Sequence, residues 1–430
     1  MHQGSAVNIP RQSIRGVFLG PMEVAGYFAR LSVGLRSIGI TTLYADLESH
    51  PFSYPEAVPA GGLVRVARRA GAGLANAKTT PTRAVWKVAS IATRAALLLR
   101  AIVACDVFVF GSGQTLFGLR ELPLLKLLGK RVVIVFFGTD VRPSYLDGIE
   151  SSAPDVTPTE LVARTRQKRD RIRRLERHAT AIVSHAPMSQ LLSRSFAAWL
   201  EIGIPTIAQP LADERVDGVL RVVHAPSHAG AKGTSLIRDA IDRLRSDGVA
   251  IEYRELQRAS NEAVRAAIAQ ADVVVDQLYA DTPMAVLASE AASAGRPAVV
   301  GSLDWPSALA DVEGSAIPPS IRCAPEEIGD VLRALAGSPE SCRDAGRTAR
   351  DFVRAHWSPE DVARRYAALA DGSAPASWFH SPATIRYAAG SGMSLDRLRQ
   401  VLASVAGVGD ESFLVDDKPE LEQRLRTGGI

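Results

Sequence analysis

The sequence predicts an α/β protein made of two doubly wound, Rossmann-like domains facing a central cleft, and three observations carry the prediction. Residues 219–301 run strand, turn, helix in repeated order, the pattern of a parallel sheet wrapped by helices. Residues 13–203 open the same way, with an apolar strand from Ile14 to Leu19, a glycine-bearing turn and a helix. Between them, residues 204–218 carry Pro205 and Pro210 and then a charged run without period, which reads as an interdomain linker. At 430 residues the chain is long enough for two cores, and 47% apolar against 22% charged composition makes it globular rather than disordered.

In the second domain, assigned to residues 219–370, Leu220 to His224 is a short apolar strand. The loop that follows holds Ser227, His228, Lys232 and Gly233 ahead of a helix from Ser235 to Asp247, whose Leu236, Ile237, Ala240, Ile241 and Leu244 share one face. Ala271 to Gln277 is a buried-looking strand, and Asp281-Thr282-Pro283-Met284 leads from it into a helix carrying Glu290. Ligands of such sheets sit at the carboxyl ends of the strands. A lysine on a glycine-flanked loop beside a helix start suits a phosphate, because unpaired N–H groups and the helix dipole both favour an anion. Glu290 can accept hydrogen bonds from ribose hydroxyls, and the 281–284 loop can offer N–H groups to a diphosphate or a sugar. The residues together point to a nucleotide-sugar site.

Three stretches, His224-Ala225-Pro226-Ser227 with Lys232-Gly233-Thr234, Asp272 to Gln277, and Glu290-Ala291-Ala292-Ser293-Ala294-Gly295-Arg296-Pro297, resemble in combination and order the donor half of retaining GT-B glycosyltransferases, the family 4-like "glycosyltransferases group 1" enzymes. The resemblance implies a GT-B fold and transfer of a sugar, with retention, from a nucleoside diphosphate sugar to an acceptor hydroxyl of a polysaccharide, glycolipid or other glycoconjugate. It implies that Lys232 meets the donor diphosphate and Glu290 the ribose. Two positions depart from the pattern. The first glutamate of the Glu-x7-Glu motif falls on Thr282, with Asp281 beside it, and the arginine six residues before the lysine falls on Pro226, leaving His228 or His224 as substitutes or none.

In the first domain, the helix after Ile14–Leu19 runs to about Ser37 with Phe28, Leu31 and Leu35 as its buried stripe, and a strand resumes from Ile40 to Tyr44. Gly20 and Gly26 match the family's N-terminal glycine loop beside donor phosphate and acceptor; an ordinary strand-to-helix turn is the plainer reading. Cys105 to Gly111 and Lys130 to Phe136 are strands, with a helix from Leu116 to Leu128 between them. Phe137-Gly138-Thr139-Asp140-Val141-Arg142-Pro143 resembles the family's His-Gly-Ser/Thr-Asp-Val-Arg turn at the cleft, with Phe137 at the histidine position. Asp140 either orients an acceptor hydroxyl or caps a turn. His185, after a strand from Ala181, is either a cleft residue or structural.

Residues 61–104 carry eight cations and no acidic residue, interleaved with Trp86 and aliphatic side chains. They read as a basic amphipathic helix on an anionic membrane surface, or as a solvated face whose arginines cover an apolar stripe. Residues 162–178 are a second basic stretch, either solvated or facing lipid or phosphate. No interleaved aromatic pattern supports a nucleic-acid partner. Trp357-Ser358 resembles the junction where the family's last helices cross back to the first domain; residues 371–430 read as a Ser/Pro/Ala/Gly linker to Gly392, a short helix from Leu395 to Val405 and a polar extension from Glu411 to Ile430.

Cys105, Cys323 and Cys342 are odd in number and widely spaced, which excludes a disulfide framework or zinc pattern and suits a reducing cytoplasm, with peripheral membrane contact as an addition. Met1 to Gln12 is polar, unlike a signal peptide. No divalent metal and no cofactor beyond the donor substrate is expected, since no Asp-x-Asp cluster follows a strand and Lys232 can carry the charge. The remaining alternatives are a nucleotide-sugar epimerase and a non-catalytic sugar-nucleotide binder or partner subunit.

Overall fold

The computed structural model describes residues 14–48, 61–211, 217–310 and 312–429. The N-terminal tail and the middle of the interdomain linker lie outside them.

The first sheet contains β1 (Gly16–Leu19), β2 (Thr41–Tyr44), β3 (Val107–Gly111), β4 (Arg131–Val135), β5 (Ala181–Ser184) and β6 (Phe196–Ala198), all parallel, in the order β2-β1-β3-β4-β5-β6. The second contains β7 (Leu220–His224), β8 (Ile251–Glu255), β9 (Val273–Gln277), β10 (Ala298–Gly301) and β11 (Ile321–Cys323), also parallel, in the order β8-β7-β9-β10-β11. The central strands carry continuous apolar runs such as Val-Phe-Val-Phe and Val-Val-Ile-Val because helices cover both their faces. In each sheet the order reverses once, between β1 and β3 and between β7 and β9. Those switch points open a crevice at the strands' carboxyl ends. The two crevices face each other, which is the GT-B arrangement.

The expected helix over 116–128 shrinks to Leu122–Leu127. Left-handed Gly118 and Leu119 and then Pro123 prevent it from starting earlier. The basic stretch after Gly61 is two helices, Gly62–Asn76 and Thr80–Ala104, rather than one. The outer face of the longer helix leaves Val85, Val88, Leu99 and Val103 exposed. Among the described residues no helix is long and apolar enough to cross a membrane. The three cysteines are buried thiols, and burial pushes Cys105 up to about 11 and Cys323 up to about 12.

The chain returns to the first domain after Trp357. Helix Pro359–Asp371 packs on helix Tyr27–Ser37, joined by a 2.9 Å bond between the Tyr27 and Tyr366 hydroxyls. Beyond it, β12 (Phe379–His380) adds antiparallel to β6. Residues 387–392 then thread between the domains. Ser391 N–H donates to Leu146 O at 2.9 Å on one side, and Gly392 N–H donates to Tyr279 O at 2.8 Å on the other. The expected short helix runs Leu395–Ala406, and the segment that reads as a polar extension forms a second, Pro419–Thr427. It is pinned to the first domain by Tyr145 Oη to Phe413 O at 2.6 Å and by buried Lys418 Nζ to Leu192 O at 2.9 Å.

Candidate functional site: the interdomain cleft

The cleft has two chambers separated by Phe137, Trp199, Ser227, Lys232 and Ala285, which line both. The wall is aromatic on the first-domain side: the Phe137 ring stands edge-on to Tyr27 at 5.2 Å and to Trp199 at 6.2 Å. Chamber one, about 350 Å³, is lined by Val24 and Ala25 after β1, Asn261 and Glu290 from helices of the second domain, and Arg258. Chamber two, about 210 Å³, is lined by Thr139, Arg142 and Asp147 after β4, His228 after β7, Asp281 and Thr282 after β9, and the threaded Ser391 and Gly392. A separate cavity of about 110 Å³ lies at the amino-terminal edge of the second sheet, between Leu220, Asp272 and Pro297. It is at the wrong end of the strands for a ligand of this fold.

Lys232 reaches the cleft from a one-turn helix, Ala229–Lys232, that His228 caps by accepting from Ala231 N–H at 3.2 Å. Gly233 joins that turn to helix Thr234–Ser246 in the left-handed conformation, where a Cβ would press on the Leu278 side chain. It shapes the loop and does not line either chamber. Lys232 Nζ is not isolated. It donates to Asp276 Oδ1 at 3.0 Å, and Asp276 is fully buried at the end of β9 with its Oδ2 unpaired. The lysine's charge is therefore largely offset by a carboxylate that sequence reasoning passed over. Its signal was visible: an acid closing the apolar run Val273-Val274-Val275.

Glu290 sits in chamber one, buried, and bridges the domains. Its carboxylate pairs with Arg30 of the first domain's helix Tyr27–Ser37 and accepts from Asn261 Nδ2 at 3.2 Å. Arg30 keeps Nη1 buried without a partner.

Chamber two is floored by a second bridge. Arg142 donates to Asp147 Oδ2 at 2.8 Å and pairs with Asp281 across the cleft. Burial alone would pull the Arg142 guanidinium down, but the two carboxylates outweigh it and hold the group above its ordinary pKa. Thr139 Oγ1 donates to Asp147 Oδ2 at 2.8 Å. Asp147 lies below the carboxylate range: burial pushes it up, and Arg142 and Thr139 more than reverse this. Thr282 is 5% exposed, lines the chamber and leaves its hydroxyl without a hydrogen-bond partner. Helix Val286–Ser293 begins between the chambers with no side-chain cap at Ala285. Its first N–H groups are left for a ligand.

Several expected site residues stand elsewhere. Asp140 turns back into its own loop and accepts from Gly138 N–H at 2.8 Å and Phe137 N–H at 3.1 Å; it caps the turn and lines neither chamber. Pro283 and Met284 are buried below the loop, and Met284 belongs to the core, because apolar side chains there gain more from packing than from the cleft. Asp281 does line chamber two, but its carboxylate is engaged by Arg142. Gly20 is required by the close approach of Ala45 O, with which a Cβ would collide, and Gly26 is the left-handed N-cap of helix Tyr27–Ser37. Neither lines the cleft. The amides at that helix start are already taken: Glu23 accepts from Phe28 N–H at 3.1 Å and Ala29 N–H at 2.9 Å. A ligand phosphate has no vacancy there. His224 is buried between Val275 O and Thr234 Oγ1, at 2.8 and 2.9 Å, and cannot stand in for the arginine. His185 is buried under Asp281, donating to its carbonyl at 2.9 Å, and burial lowers it to about 4.

No family model matches the chain, and no curated protein sequence matches it. Among solved structures it is similar to HepE of Anabaena in complex with UDP-glucose, at 11% identity over 84% of this chain and 100% of that one, with a TM-score of 0.46. It is similar to TarM of S. aureus, crystallised with UDP, at 11% identity and a TM-score of 0.44; the match covers 65% of this chain and spans only 58% of TarM. The glycosyltransferase SnogD of Streptomyces nogalater matches at 16% identity over 83% of this chain and 100% of its own, with a TM-score of 0.41. At such values the likeness carries nothing about activity.

Proposed function

We propose that the protein is a glycosyltransferase that moves a sugar from a nucleoside diphosphate sugar to an acceptor hydroxyl of a glycan or lipid-linked glycoconjugate, with retention and without a metal ion. The observation that carries the reading is the uncapped start of helix Val286–Ser293 beside Lys232, at the junction of a nucleoside-sized and a sugar-sized chamber. A diphosphate laid across the junction meets backbone N–H groups and the two Lys232 N–H bonds that Asp276 does not take. Those donors stabilise the charge that develops as the leaving diphosphate departs. Glu290 Oε2, with Asn261, suits the ribose hydroxyls in chamber one. Chamber two takes the sugar and the acceptor hydroxyl, with the Thr282 hydroxyl as a donor waiting for a partner. Metal independence rests on this supply of protein donors.

The exposed apolar face of helix Thr80–Ala104, in a stretch with no acidic residue, suits attachment to the surface of an anionic bilayer. Sedimentation with phosphatidylglycerol vesicles, lost in a Val85→Asp, Leu99→Asp variant, tests it.

Two observations favour a second reading. Lys232 is offset by Asp276, and Glu23 occupies the other helix start, so electrostatic help for a leaving group is thin. A non-catalytic sugar-nucleotide binder would have such a site. The test is thermal stabilisation by UDP, GDP, ADP and dTDP with magnesium or EDTA, followed by donor turnover with candidate acceptors. A shift indifferent to EDTA and abolished by Lys232→Ala, with release of nucleoside diphosphate on acceptor addition, supports the transferase. Binding without turnover supports the second reading, and no binding refutes both.

A further inference from the structure

Helix Pro158–Glu176 carries most of the second basic stretch, and the structure divides its cations other than Arg166 into two sets. On one flank they are neutralised from within: Arg169 pairs with Asp416, and Arg173 with Asp417 and Glu176, the first two acids coming from the C-terminal segment. On the other flank Arg164, Lys168, Arg171 and Arg174 recur at helical spacing and line an open groove of about 440 Å³. Among the described residues only one carboxylate, Glu150, lines it with them. Lys168 Nζ reaches Glu150 at 2.8 Å and also donates to Arg142 O at 3.1 Å. Arg164 pairs with Glu160 at the rim. Arg171 is fixed by donating to Gly113 O at 2.5 Å, and its Nε is buried with no partner. Its pKa is lowered, first by burial and then by neighbouring Arg174. Burial and the second cation outweigh the one opposing carboxylate, Asp140, so a further anion would stabilise the group.

The groove is not part of the cleft, yet it adjoins it. Its wall and that of chamber two are the same short turn: Ile149 faces the chamber and Glu150 the groove. On its far side, Arg94 of the basic helix Thr80–Ala104 holds Leu116 O at 3.1 Å, next to the groove's Gly118 and Leu119.

We propose that this groove binds a phosphate group carried by the acceptor, anchoring an anionic acceptor while its hydroxyl enters chamber two. The acceptor class follows from the site, and this part rests on the transferase reading above; binding of phosphate to the groove does not. Guanidinium groups grip phosphate oxygens in pairs, and Arg171 with Arg174 and Arg164 offers such a set on a rigid helix.

The test uses the full chain, with inorganic pyrophosphate as the soluble probe and phosphatidic acid vesicles as the lipid-borne one. The variant is Arg164→Glu with Arg174→Glu, both on the groove's accessible side; its melting point and its shift by nucleotide report that fold and cleft are intact. Pyrophosphate binding by calorimetry should weaken by about tenfold or more in the variant, as expected for loss of charge-assisted bonds. Arg174→Lys alone should retain most of it. If the variant loses affinity for vesicles but neither protein binds pyrophosphate, the phosphate is lipid-borne and the groove still holds it. Equal binding of both probes by the variant and the unaltered protein overturns the proposal. So does pyrophosphate binding that Lys232→Ala abolishes and the groove variant leaves intact. A nucleotide shift absent in every protein defeats the transferase reading and leaves phosphate binding by the groove to be decided by the two probes.

Discussion

Replacing Asp276 by Asn should tighten nucleotide binding. Lys232 Nζ and Asp276 Oδ1 are 3.0 Å apart. A phosphate oxygen touching the lysine at about 3 Å therefore lies within about 6 Å of the carboxylate, by the lengths of the two bonds. Two unit negative charges at that distance repel by roughly 1 kcal/mol in a water-like medium and about 3 kcal/mol at the effective dielectric of a protein. Asp276 is fully buried, so the larger figure is the better guide. Removing the charge should tighten a nucleoside diphosphate by between about fivefold and a hundredfold. Asn retains an acceptor oxygen for Lys232, so the loop keeps its anchor. Calorimetric titration with the diphosphate that shifts the melt of the unaltered protein measures the change, and nucleosides without phosphate should show none. A folded Asp276→Asn protein that binds the diphosphate no tighter than before would refute the argument that the carboxylate limits anion binding here.

Thr282→Val exchanges a buried, unpartnered hydroxyl for a methyl of the same shape; apo stability should hold or rise by up to about 1 kcal/mol, while affinity for a nucleotide sugar falls and that for the bare nucleotide does not. Glu290→Ala strands Arg30, whose Nη1 already lacks a partner, and should cost about 3–5 kcal/mol in urea unfolding, against much less for Glu290→Gln, which can still bond Arg30 and Asn261. His185 has its folded pKa depressed by burial from 6.5 to about 4. Unfolded chains take up its proton first, so its contribution is whole above pH 6.5 and is lost as pH falls toward 4, by up to about 3 kcal/mol. His224, lowered by burial too, acts in the same direction. His185→Gln should flatten the fall of melting temperature across that window, and an unchanged slope would contradict the assignment.

The sequence made the sheets legible because buried parallel strands leave continuous apolar runs: Leu220–His224 has the bounds the pattern predicts, and Lys232 and Glu290 do reach one cleft. What it hid is pairing across distance. Arg30 lies 260 residues from the glutamate it meets, and Arg142 lies 139 from Asp281. Nothing in local periodicity marks either contact. Asp140 had two readings in the sequence because a short acid in a tight turn can always be satisfied by its own backbone; here Phe137 and Gly138 do satisfy it, the capping alternative. The stretch from Ala370 to Gly392 looked like linker because its short 3₁₀ turns and single bridges use small and proline residues, which carry no amphipathic period, whereas Leu395 to Val405 does carry one and was legible as a helix. Its order comes from docking on a surface already made.

That docking makes the first domain discontinuous. Residues 14–48, 61–200 and 359–429 form one packed unit, with the Tyr27–Tyr366 contact, β12 on β6 and Lys418 on Leu192 as its seams. Only the stretch from Leu220 to about His356 is a self-contained insert. Exchanging that insert alone would therefore replace only the second domain's side of the cleft, with Lys232, Glu290 and helix Val286–Ser293, and would leave Thr139, Arg142 and Asp147 of chamber two in place, whereas a chimera cut once in the linker would join a foreign tail to the wrong partner. Such a hybrid would lose the threaded Ser391–Gly392 segment that lines chamber two, along with its fit to Leu146 and Tyr279.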